Sequence, residues 1–179
     1  MLLIGLIACN GDLLMASGEF GHINYTLETS YQMEAINLND AKLATGYPQR
    51  INASLTPKGL KVVDFDESYL VYHTSSAEGV TVDSDTLLDG VLGVPSFSIQ
   101  ASAPGSYMVE SKKEDEIVDQ ISLSFVSPDE ISLLSWIRGP EEEEFTPQEG
   151  ENITVAIGSQ AAFVPIPMFE GTRIVGDID

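Results

Sequence analysis

Ala103-Pro104-Gly105-Ser106-Tyr107-Met108-Val109 leads through Lys112-Lys113-Glu114-Asp115 into Ile117-Val118-Asp119-Gln120-Ile121-Ser122-Leu123-Ser124-Phe125. Tyr107 and Val109 before the charged group alternate with polar or more weakly apolar neighbours. Ile117, Ile121, Leu123 and Phe125 share one face of the run after it. A repeat of two is the period of a half-buried strand, whereas a helix would show one near 3.6. Pro104-Gly105 supplies a turn at the start, and the four charged residues supply a second turn between the runs. Residues 103–125 therefore read as a β-hairpin with one face toward a core.

The same period recurs upstream. Ile23, Tyr25 and Leu27 alternate with His22, Asn24 and Thr26, and Ile51, Ala53 and Leu55 alternate with Arg50, Asn52 and Ser54. Further candidates are Tyr69-Leu70-Val71-Tyr72 and the set Phe97, Ile99, Ala101. Gly46-Tyr47-Pro48, Pro57-Lys58-Gly59 and Ser127-Pro128 punctuate them as turns. Thr29 and Gln32 have the spacing of a capping box ahead of Met33 and Ile36, which allows one short helix or turn before Asn37, Asn39 and Asp40. Each buried β-branched or aromatic side chain contributes roughly 1.5–3 kcal/mol, so one apolar face per strand suffices to hold two sheets together. The pattern predicts an all-β sandwich.

The Pro-Gly-x-Tyr-x-Val segment at 104–109, with its charged turn and long following strand, resembles the last hairpin of bacterial immunoglobulin-like domains. The resemblance implies an immunoglobulin-like β-sandwich over residues 18–127, with 104–109 as the penultimate strand and Tyr107 packed over the sandwich end. A second set of elements occupies residues 128–179. It comprises a strand at 131–137 carrying the one tryptophan, Trp136, and an acidic loop at 141–144 between Pro140 and Pro147. Ile153-Thr154-Val155, Gly158 to Phe163, and Gly171 to Val175 follow. This set resembles the opening strands of another such domain. Three or four strands make half of a seven-stranded sandwich, so 128–179 is expected to form an incomplete second module. Packing onto the first as one larger sandwich is the other arrangement open to it.

Residues 2–8 form an unbroken small and apolar run ending at Cys9. At about 1.5 Å per helical residue it is too short to span a bilayer. Leu6-Ile7-Ala8-Cys9 resembles the lipobox of bacterial lipoproteins. The resemblance implies a diacylglycerol on the Cys9 thiol, a leader removed before it, and residues 1–17 as lipoprotein signal and tether. It also implies a place in the bacterial cell envelope, with the membrane reached through the lipid anchor. Each buried CH₂ of such a chain contributes about 0.8 kcal/mol, so two or three chains anchor durably. A leader of this kind opens with Lys or Arg, whereas the first positive charge here is Lys42, so the resemblance implies a basic segment upstream of Met1. A buried apolar N-terminal strand with an inert core cysteine is the other reading of the same residues. Cys9 is the only cysteine, so no intramolecular disulfide forms.

Twenty-eight acidic residues stand against eight Lys and Arg, a formal net charge of −20. Such a surface repels phosphate backbones and argues against a nucleic-acid partner. Nucleophilic catalysis requires an activated Ser or Cys near a His and an orienting carboxylate. The two histidines, His22 and His73, each read as polar-face strand residues, and no nucleophile elbow, phosphate loop or zinc motif is present. A non-catalytic protein is expected. Hard oxygen ligands cluster at Asp64-Phe65-Asp66 and Asp83-Ser84-Asp85. On a strand the first and third positions point the same way, so Asp64 with Asp66, and Asp83 with Asp85, are candidate calcium ligands. Solvated turn acids are the plainer account of the same residues, as of the run at 141–144. Single aromatics within alternating strands, Trp136 and Tyr107 among them, read as core. The function these features imply is a lipid-anchored envelope or surface protein, binding or structural, that meets a protein partner through its loops or a sheet edge. A calcium-dependent adhesion module is the alternative.

Overall fold

The computed structural model describes residues 13–28, 37–55, 71–85, 96–113, 115–140, 144, 146–150 and 153–176. Among them the chain forms strands and no helix. The hairpin at 103–125 is strands β8 (Gly105–Lys113) and β9 (Glu116–Val126), antiparallel from Gly105↔Phe125 to Lys113↔Glu116. Of the charged group, Lys112 and Lys113 extend β8 and Asp115 lies in the turn. β5 (Tyr72–Thr74) pairs with the outer side of β8, and β3 (Lys42–Ala44) runs parallel to β9, giving a four-stranded sheet of order β3-β9-β8-β5. Facing it is a five-stranded sheet of order β1-β2-β4-β7-β6. Its strands are β1 (Leu13–Ser17), β2 (Ile23–Glu28), β4 (Gln49–Leu55), β6 (Val80–Asp85) and β7 (Ser96–Ala101).

The inward positions of both sheets form one buried cluster. Tyr25, Ile51, Phe97 and Ile99 come from one layer and Val109, Ile121, Leu123 and Phe125 from the other. All are residues that the period of two assigns to a core face. The all-β sandwich is therefore the architecture of the chain, and it rests on removal of these side chains from water.

Three local readings need correction. Residues 13–17, expected as tether, form β1, which pairs with β2 from Leu13↔Glu28 to Ser17↔Asn24. Leu14 and Ala16 are buried while Met15 and Ser17 are exposed, which is itself strand alternation. Ile117 does not join the inward face of β9 but is 39 % exposed. The register shifts between Ser111 and Lys112 of β8, where β9 carries one extra residue, and such a bulge turns the side chains beyond it to the other face. Ile153-Thr154-Val155, expected as a strand, lies outside any strand. The segment at 29–36 falls outside the described residues.

Beyond Ser127-Pro128 a third sheet has the order β11-β10-β12-β13. Its strands are β10 (Glu130–Arg138), β11 (Thr146–Gly150), β12 (Gln160–Phe169) and β13 (Thr172–Arg173). It is joined to the sandwich. Ile166 and Val175 belong to the same buried cluster as the sandwich core, and Leu134, Val164 and Met168 pack against it. Val175 also lies parallel to Leu43 in β3. Ala44 N–H donates to the Val175 carbonyl at 2.7 Å, and Val175 N–H donates to the Lys42 carbonyl at 2.9 Å. The Lys42 ammonium sits 4.7 Å from the ring centre of Phe169. β3 is thus paired on both sides, by β9 and by the segment after β13. On the opposite face of the third sheet, Ile131 and Phe163 are about half exposed.

Candidate functional site

Of the candidate residues named by the sequence, only some fall where the structure describes them. Cys9, Asp64 and Asp66 lie outside the described residues. Asp83 and Asp85 lie in β6, an edge strand, opposite Ser98 and Ser96 of β7, and Asp83 is exposed. Calcium takes six to eight oxygens. Among the described residues no group of three or more His, Cys, Asp or Glu is placed to hold a metal ion.

The two histidines separate. His22 is exposed in the turn between β1 and β2. His73, expected on a polar face, is 4 % exposed and inside the sandwich. Alternation shows that Tyr72 and Thr74 share the face opposite His73 but not which face is inward. Burial of His73 is settled by the facing sheet, where Phe97 of β7 stacks on the imidazole at 4.4 Å. Its Nδ1 is 2.9 Å from the Ser111 hydroxyl of β8, which in turn lies 2.7 Å from the Tyr25 hydroxyl of β2. Ser111 is fully buried. Tyr25, Ser111 and His73 thus form a hydrogen-bonded bridge between the two layers. Burial lowers the pKa of His73 to about 4 and raises that of Tyr25. The imidazole is therefore neutral at pH 7.

A second polar centre lies on β9. Asp119 is fully buried. Its Oδ1 accepts from the backbone N–H of Phe20 and of Gln120, and its Oδ2 accepts from those of His22 and Ile23, at 2.7–3.0 Å. The Phe20, His22 and Ile23 donors hold the turn between β1 and β2, which Glu19 also ties to β9 through the Gln120 carbonyl. The turn approaches closely because residue 18 is glycine: a Cβ there would stand 2.1 Å from Asp119 Oδ1. The carboxylate fastens the first hairpin of the five-stranded sheet onto the opposite sheet.

Ser111 and His73 have the donor–acceptor distance of a nucleophile and base, but both are buried in the core, where the Ser111 hydroxyl lies between His73 Nδ1 and the Tyr25 hydroxyl. Both centres were missed by sequence reading. The signal for Asp119 was its place at an inward position two residues before Ile121, and that for Ser111 was its place two residues after Val109. At the sandwich end the Tyr107 hydroxyl donates to the Ala103 carbonyl at 2.8 Å, while its ring meets that of Phe125 edge-on. No protein-family model matches this sequence, and no curated protein matches it either.

Proposed function

We propose that this chain is a non-catalytic, lipid-anchored module of the bacterial cell envelope, built on an immunoglobulin-like sandwich. The observation that carries the reading is the strand order with its tyrosine. β4-β7-β6 opposite β5-β8-β9 follows the B-E-D and C-F-G arrangement of immunoglobulin sandwiches. β3, parallel to β9, closes the second layer. The hydrogen bond from Tyr107 at the start of β8 to the backbone four residues upstream has the form of the tyrosine corner of that fold. Commitment of His73 and Ser111 to interlayer packing supports a scaffold in place of a catalyst. A protein partner is met through the loops or a free sheet edge, as this architecture commonly does.

Anchoring rests on Leu6-Ile7-Ala8-Cys9. Expression in a bacterial host with labelled palmitate is expected to label the protein and move it to the membrane fraction, and Cys9→Ala abolishes both. An unlabelled wild type removes the anchoring part of the reading. Calcium-dependent adhesion is the competing function, with Asp83 and Asp85 as its nearest ligands. It requires the melting temperature to rise in millimolar calcium, because an ion bound to the native state alone stabilises it by mass action.

A further inference from the structure

We propose that His73 is an acid-released latch between the two layers: charging its ring detaches β5 from β8 and opens that edge of the sandwich. The geometry places one titrating side chain where three elements meet. β5 is three residues long and lies at the end of its sheet. The side chain that holds it inward is His73, stacked on Phe97 of β7 and bonded to Ser111 of β8. The His73 backbone N–H donates to the Ser84 hydroxyl of β6, so the same residue also ties β5 to the opposite sheet.

Among the described residues, the groups around His73 give its ring no direct ion-pair partner. On β2, Tyr25 presents a hydroxyl to Ser111 and remains neutral. On β9, the Asp119 carboxylate stands opposite Ser111, but its hydrogen bonds go to backbone N–H groups and it makes no ion pair with the ring. On β8, Glu110 and Lys112 flank Ser111 on the other face and pair with each other at 2.8 Å. On β5, Tyr72 alternates away from His73, and on β6, Asp83 is exposed. β7 contributes Phe97 alone. A buried imidazolium without a counter-ion is costly, so protonation and burial exclude each other.

The sign follows from linkage. The ring titrates near 6.5 when free and near 4 in the fold, so its contribution is intact above pH 6.5 and is lost as pH falls from 6.5 to 4. Opening of β5 is then expected to rise about 30-fold between pH 8 and pH 5.

The test is hydrogen exchange at the β5 amides from pH 8 to about pH 3, corrected for intrinsic rates, together with an NMR titration of the His73 ring. Expected are a ring that stays neutral to below pH 5 and a rise in β5 opening that His73→Phe abolishes. A ring titrating near 6.5 in the folded protein, a flat opening profile, or an equal rise in His73→Phe each overturns the latch. Should His73→Phe fail to fold, the wild-type profile decides alone. Its rise must begin near pH 6.5 and level off where the native ring titrates, and a profile without those two bends overturns the proposal.

Discussion

Asp119 and Gly18 meet across the two sheets, and their fit makes a specific demand on the first turn. Removing the carboxylate leaves the Phe20, His22 and Ile23 N–H groups without their acceptor in a part-buried or buried setting, and each such loss costs about 1–3 kcal/mol before relaxation. Asp119→Ala is expected to lower stability by about 2–4 kcal/mol in urea unfolding. Gly18→Ala is expected to act through the same contact, since its methyl group occupies the carboxylate's place. The double variant should therefore cost little more than Asp119→Ala alone, and full additivity in the cycle would separate the two residues. At this scale the sequence was only half legible. The inward register of positions 109, 111, 119, 121, 123 and 125 follows from the period of two. That 111 and 119 are polar did not reveal their partners, because Tyr25 and the 18–23 turn lie far away in sequence and are brought near only by the facing sheet.

Among the elements, the strands read correctly are those with several apolar residues in alternation: β2, β4, β7, β8, β9 and β10. β3, at three residues, carries too few positions for a period to emerge, and β11, Thr-Pro-Gln-Glu-Gly, has no alternating apolar side chains to show one. β1 follows Cys9 by only four residues, so the lipobox resemblance implies a tether where the chain forms a strand. β3 is nevertheless the junction between the sandwich and the third sheet, and the packing there is close. A Cβ on Gly176 would lie 2.7 Å from that of Ala44. Gly176→Ala is expected to destabilise by about 1–3 kcal/mol, as overpacking of a tight site does. The loss should be visible in the denaturant midpoint of Trp136 fluorescence, since that ring lies in β10. Ala44→Gly in the same chain should restore the midpoint. Failure to do so would show that residue 176 does not press on β3.

Over the whole molecule the dominant feature is charge, and it was fully legible. A net charge of −20 with eight basic residues opposes compaction at low ionic strength. Raising salt from about 0.05 M to 1 M shortens the screening length to about 3 Å, so the melting temperature should climb steadily in sodium chloride, and in potassium chloride equally. A midpoint independent of salt would mean that the acids are spaced too widely to repel. The two-sided pairing of β3 has a further consequence for how the molecule comes into being. Leu43 leaves the ribosome early and Val175 late, so one flank of that strand has no mate until the described chain is almost complete. Vectorial synthesis therefore makes this seam a late stitch relative to the sandwich strands, and a nascent chain arrested before residue 175 must carry an open sheet edge for as long as the arrest lasts.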